Sequence, residues 1–213
     1  MSVGRFDDHN YTLISDKLSG SFDTHTIFLY GSRADGTSNE TSDLDVAGFA
    51  ERQERNRDCF WVNDLEIDVF IYDEKLLRQP TAELLRLRGA KVILDRKCLA
   101  QTFLEKIEKI FEQGPPLVDE RTRAVNRNWA WKVVRRMRRD DVEARYRRAW
   151  LLYELLEYYF SFRRMWYEGP KRAFSWLKEN DLPTYVSFEN ALRENATVAD
   201  IEMLVELVIG PPQ

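Results

Sequence analysis

The chain has 213 residues, long enough to bury a real core as one large domain or two small ones. Hydrophobic residues make up 44% and charged residues 32%, the balance of an ordinary globular protein rather than a disordered or membrane-embedded one. A formal net charge of −4 does not argue for a nucleic-acid polymer as partner. The two cysteines, Cys59 and Cys98, have no metal-ligand spacing and read as small buried or half-buried thiols of a reducing compartment. No apolar N-terminal segment precedes a cleavage site. The longest apolar run, Trp150 to Phe162, is interrupted by Glu154 and Glu157, so a cytoplasmic protein with no membrane partner is expected.

In chain order, Asp7 or Asp8 caps a helix through Leu18, and Thr24 to Tyr30 reads as a strand. Ser42 to Phe49 alternates as a second strand. Phe60-Trp61-Val62, a turn pair Asn63-Asp64 and Leu65 to Tyr72 form a hairpin. A helix over Glu74 to Leu87, a strand at Lys91 to Leu94 and a helix from Leu99 to Gln113 complete a first domain, 1–114, and Gly114-Pro115-Pro116 makes a linker. The second domain, 119–213, carries most of the aromatics and no convincing strand. Helices are predicted over Glu120 to Arg139, Val142 to Trp166, Lys171 to Glu179, near Thr184 to Arg193, and Val198 to Val208, the last behind a capping box at Thr197 to Asp200. Val142 to Trp166 is apolar on several faces and belongs in the middle of a bundle. The fold class expected is α+β (α/β) with a mixed sheet, followed by an all-α helical bundle.

Chemistry concentrates in Tyr30-Gly31-Ser32-Arg33-Ala34-Asp35-Gly36 and Ser42-Asp43-Leu44-Asp45. Two Asp at spacing two on a strand point to one face, and hard Mg²⁺ takes carboxylate oxygens held in fixed positions. A Gly-Ser pair at a strand-to-helix corner offers close backbone approach, a hydroxyl donor and a helix N-terminus for phosphates. Ser32 also reads as a plain helix cap, and Arg33 equally as a phosphate ligand or a solvent-facing arginine. A third carboxylate would complete the set by taking a proton from an attacking hydroxyl. Asp68 is the best candidate because it interrupts an apolar strand, where an unpaired charge is expensive, and Glu66 on the same strand face is its understudy.

Gly31-Ser32, the spacer of about ten residues, Ser42-Asp43-Leu44-Asp45 and the later strand acid together resemble the signature of the DNA polymerase beta-like nucleotidyltransferase superfamily. The general build is similar to the minimal nucleotidyltransferases and the kanamycin-nucleotidyltransferase-like enzymes, which also append a helical domain. The motif covers Phe28 to Tyr72, and the helical half is similar only in general character. The resemblance implies that Asp43, Asp45 and Asp68 are catalytic residues and metal ligands for two Mg²⁺, with Asp68 the third ligand or base. It implies that Gly31 and Ser32 cradle the triphosphate, with Arg33 and Ser42 beside them, and that ATP or another NTP is co-substrate. Some small-molecule transferases of the superfamily carry Glu at the second or third acid. All three are Asp here, which draws the likeness toward the minimal nucleotidyltransferases.

The run Arg121 to Arg148 reads first as a solvated helix face. Alternatives are a reach to NTP phosphates, with Lys132 a candidate, or an RNA surface with Trp129, Trp131 and Tyr146. Lys171, after the Gly169-Pro170 break, is a candidate nucleotide contact or part of an ordinary turn. Trp166, Tyr167, Phe174 and Trp176 read as core. Glu154 and Glu157 read as buried acids that pair with arginines or meet a cationic acceptor, and His9 and His25 as structural. The expected activity is transfer of a nucleoside monophosphate, AMP first, from Mg-NTP to an acceptor hydroxyl. The acceptor is a small molecule of aminoglycoside-like type first, a protein second and an RNA third. The competing class is an antitoxin-like or scaffold interaction protein on the same fold, and a homodimer is compatible with either.

Overall fold

The computed structural model of the chain describes residues 8–36, 42–52, 56–62, 65–139 and 141–212. They form two compact units, Met1–Gln113 and Gly114–Gln213. The first is α+β: α1 (Asp8–Phe22), β1 (Thr26–Tyr30), α2 (Ser32–Asp35), β2 (Leu44–Ala50), β3 (Asn56–Val62), β4 (Leu65–Asp73), α3 (Lys75–Arg78), a 3₁₀ segment (Ala82–Leu87), β5 (Lys91–Asp95) and α4 (Ala100–Gln113). The strands make one mixed sheet in the order β3-β4-β2-β1-β5, in which only the β2–β4 pair is parallel.

All five residues of β1 are buried, as expected of a strand covered on both faces. On one face Ile27, Leu29, Val46, Ile67, Val69 and Ile71 pack with Ile14 and Leu18 of α1. The alternate positions face the other way, where Phe103 of α4 lies 5.2 Å from Phe28 and 5.6 Å from Phe49 between ring centroids. Such rings contribute large apolar areas and a preference for tilted or edge-on contact.

Several sequence expectations are corrected. The helix predicted over Glu74 to Leu87 is two short pieces, because Pro80 has no N–H to donate and disfavours helix at the residue before it. The first two strands start two residues later than predicted, and α1 runs past Leu18 to Phe22. Asp7 and the Asn63-Asp64 turn pair lie outside the described residues, as does the side chain of His9. Both cysteines are exposed rather than buried. Cys59 alternates with buried Phe60 on the edge strand β3, and Cys98 sits in the turn after β5 at φ 54°.

The second unit contains α5 (Glu120–Met137), α6 (Val142–Phe162), α7 (Pro170–Asn180), α8 (Leu182–Leu192) and α9 (Val198–Ile209), with no strand among its described residues. Helix α6 is its centre: Leu151, Leu152, Leu155, Leu156, Tyr159 and Phe160 are all buried. It ends four residues earlier than predicted, since Arg164 adopts φ 56° and Met165 returns its N–H to the Phe160 carbonyl at 2.9 Å. Asp119, Asp141 and Asp181 cap α5, α6 and α8, and Thr197 with Asp200 forms the expected capping box of α9. Glu154 and Glu157 are half-buried, not buried, and aromatic side chains bond to both. Trp150 donates to Glu154 at 3.0 Å, and the hydroxyls of Tyr158 and Tyr153 bond to Glu154 and Glu157. No helix among the described residues is long and apolar enough to cross a membrane.

His25 is 7% exposed, with Nδ1 2.9 Å from the Thr26 hydroxyl and Nε2 3.1 Å from Glu74. Burial first, and then the Lys97 charge, hold its pKa below the ordinary 6.5, against the pull of Glu74 and Glu51. A histidine kept neutral in the fold binds fewer protons folded than unfolded. Its share of stability is therefore complete above pH 6.5 and is lost as pH falls through 6.5 toward the lowered folded value. Urea unfolding of the wild type is expected to weaken over that interval more steeply than unfolding of His25→Gln, and equal slopes would refute the assignment.

Candidate active site

The acids are brought together by one register. β2 and β4 run parallel with Asp45 directly beside Asp68, so both carboxylates rise from the same face of neighbouring strands. Asp43, two residues earlier and exposed, shares that side, while Leu44 between them is fully buried. One carboxylate oxygen from each of Asp43, Asp45 and Asp68 lies within 4.8 Å of the others. Oxygens around a single Mg²⁺ sit up to about 4.2 Å apart across its octahedron, so the three acids fit a hard divalent cation with small side-chain adjustment.

Gly31 closes the site from β1. It sits at φ 72°, ψ −161°, and a Cβ there would fall 2.1 Å from Asp45 Oδ2. No side chain fits that gap, and the backbone conformation is one that side chains resist. Gly31, not Ser32, is the N-cap residue of α2, so the Ser32 hydroxyl is not the helix cap. The helix is a single turn of four residues, which leaves backbone N–H groups and a half-exposed hydroxyl rather than a long helix dipole at the corner. Arg33 turns away from the role of a mobile phosphate clamp. Its Nε and Nη2 donate to the Ser42 carbonyl at 2.9 and 2.6 Å, and Nε also to the Asp43 carbonyl at 3.2 Å. It thereby fixes the approach to β2. Lys171 belongs to the other unit, where it is exposed in the first turn of α7.

Two arginines were not found by sequence reasoning. Arg57 of β3 binds Asp68 bidentately, Nε to Oδ1 at 3.0 Å and Nη2 to Oδ2 at 2.9 Å. Arg86 of the 3₁₀ segment lies over Phe70 at 4.2 Å, and over Tyr30 and Tyr72 at 5.5 Å each. Arg57 carried a signal, since alternation on β3 puts Arg57, Cys59 and Trp61 on one face; the β3–β4 register needed to read it was not available from sequence. Arg86 carried none, because its position depends on tertiary packing. Glu66 accepts from Cys59 Sγ at 3.0 Å and stands outside the three-acid group.

The electrostatics follow from this crowding. Burial, then the charges of Asp43 and Asp68, push Asp45 up to about 6, against the opposing charge of Arg86. Burial likewise pushes Tyr30 up to about 12, with Asp45 and Asp68 adding to it. A divalent cation would remove the like-charge conflict at its source.

No protein-family model and no curated protein sequence matches the chain. Among solved structures, the nucleotidyltransferase-like protein from Exiguobacterium sibiricum 255-15 aligns over 94% of this chain and 74% of its own, at 11% identity and a TM-score of 0.43. At so low a TM-score the likeness fixes neither fold nor activity.

Gly31→Ala is expected to displace Asp45 and to destabilise the first unit by about 1–3 kcal/mol, read by urea unfolding, since a positive φ is combined with a steric overlap. Arg57→Gln is expected to tighten Mn²⁺ binding, measured by paramagnetic resonance, by freeing both Asp68 oxygens. Unchanged or weaker binding would show that the guanidinium does not compete with the cation.

Proposed function

We propose that the chain is a nucleotidyltransferase, moving a nucleoside monophosphate, AMP first, from an NTP to an acceptor hydroxyl. The observation that carries this reading is the approach of Asp43, Asp45 and Asp68 within 4.8 Å beside a glycine whose Cβ would strike Asp45. Three carboxylates this close, two of them half-buried, still repel one another with Arg57 and Arg86 beside them, as the raised Asp45 pKa reflects. A hard metal ion with a polyphosphate is the partner such a cluster is suited to.

In this reading Asp43 and Asp45, with Asp68, would hold two Mg²⁺. Bound there, the ions would neutralise the polyphosphate and favour charge developing at the α-phosphate. Gly31 lets the triphosphate lie against the backbone, and Ser32 supplies a hydroxyl donor. Arg33 and the Ser42 carbonyl it binds keep Asp43 in place. Asp68 accepts the proton of the acceptor hydroxyl once Arg57 yields one carboxylate oxygen. The acceptor oxygen forms a bond to the α-phosphorus, the bond from that phosphorus to the bridging oxygen breaks, and pyrophosphate leaves with the electron pair. A small molecule is the first acceptor class to screen, then protein, then RNA.

The test is calorimetric titration of a non-hydrolysable ATP analogue with and without Mg²⁺. Wild type is expected to bind only with the metal, and Asp43→Ala/Asp45→Ala to lose more than about a hundredfold in affinity. No binding by wild type to ATP, GTP, CTP or UTP analogues would overturn the proposal in favour of an interaction protein.

A further inference from the structure

The helical unit contains a second feature, independent of the acid site. A stripe of α6, Arg145, Ala149, Leu152 and Leu156 at spacings of four, three and four, lies along one side of the helix, as its 3.6-residue period requires. The stripe opens onto a cavity of about 480 Å³ whose far walls are Phe174 of α7 and Phe188 of α8. Those two rings meet edge to face at 5.6 Å, and Phe188 is almost wholly buried, so this wall is rigid. The volume is within the range of small-molecule sites.

Charge in the lining is of one sign. Arg145 and Arg148 enter it and no carboxylate does. Arg148 is held in place by donating through Nη2 to the carbonyls of Ala191 and Arg193, both at 2.9 Å. The acids nearest these two arginines, Asp141 beside Arg145 and Asp200 beside Arg148, lie outside the lining. Glu143 pairs with Arg147 and Arg139, and Glu157 takes the hydroxyl of Tyr153. An apolar slot with two guanidinium groups at one end is complementary to a molecule with an apolar body and an anionic head.

We infer that this cavity is a binding site for a small amphiphile, an alkyl or aryl chain ending in an oxo-acid such as a carboxylate or phosphate. The chain lies between α6 and the rings of Phe174 and Phe188, and the head group meets Arg145 and Arg148. Neither a neutral nor a cationic amphiphile of the same length satisfies both ends.

The full chain should be titrated with 1-anilinonaphthalene-8-sulfonate, an aromatic anion, and the complex then challenged with octanoate, octyl phosphate, octan-1-ol and octyltrimethylammonium. One saturable site is expected, displaced by octanoate or octyl phosphate at least about tenfold better than by the alcohol or the cation. Whichever anion competes better identifies the head group. Ala149 is exposed, so Ala149→Trp should fill the cavity and abolish binding with far-ultraviolet dichroism and Tm unchanged. Arg145→Gln, which leaves the cavity open, should remove the preference for anions while sparing displacement by octan-1-ol. Equal competition by the cation, or dye binding that survives Ala149→Trp, would overturn the inference. So would a concentration-dependent dimer, seen by sedimentation and dissolved by Ala149→Trp, which would give the slot to a second copy of the chain.

Discussion

The parallel pairing of β2 with β4 is the constraint on which the site depends. Asp45 lies beside Asp68 only because Leu44, Val46, Ile67 and Val69, all fully buried, occupy the opposite face of the same two strands. A one-residue slip would turn the acids into the core and the aliphatics into water. The magnitudes show which effect decides. Each fully buried aliphatic side chain contributes about 1.5–3 kcal/mol. Two carboxylates near 4.8 Å repel by about 1–3.5 kcal/mol across the range from bulk water to a protein surface. The apolar face therefore holds the acidic one together, and the repulsion appears as a raised Asp45 pKa instead of a lost register.

Around that pair the first unit supplies restraint rather than extra chemistry. Gly31 gives the clearance that Asp45 needs, Arg33 ties the chain entering β2, and Arg57 and Arg86 bring positive charge from two other elements. The cations differ in kind. Arg86 is sandwiched against aromatic rings, whereas Arg57 is largely exposed and bonded to a single carboxylate, so Arg57 is much the easier to move.

Period-two patterning made much of this readable. Asp43 and Asp45 could be assigned to one side because Leu44 between them had to be inside, and Asp68 stood out as a charge within an apolar strand. What escaped was whatever needed two elements at once. The Arg57–Asp68 pair depends on how β3 registers on β4, and the exposure of Cys59 follows from β3 being an edge strand, which its own residues do not reveal. The helix drawn through Pro80 was a local error, in which apolar spacing on either side outweighed the missing N–H. In the helical unit the caps were legible at Thr197 and Asp200, but the tyrosine partners of Glu154 and Glu157 were not, because a hydroxyl leaves no charge pattern in the sequence to mark it as a carboxylate's partner.

The arginines of the helical unit have a consequence for sequence drift. Arg123 donates to the Phe162 carbonyl, Arg127 to Ile209, Arg148 to Ala191 and Arg193, and Arg163 to Tyr159, so these side chains close the ends of α6, α8 and α9 that helix geometry leaves open. Three arginines of the basic run, Arg123, Arg127 and Arg148, are thus internal carpentry. A lysine at those positions would preserve the charge yet lack the rigid, planar guanidinium that sets Nη2 of Arg148 on both carbonyls. Neutral-looking exchange of one basic residue for another should therefore be tolerated on the outer faces of α5 and α6 and resisted at the helix ends.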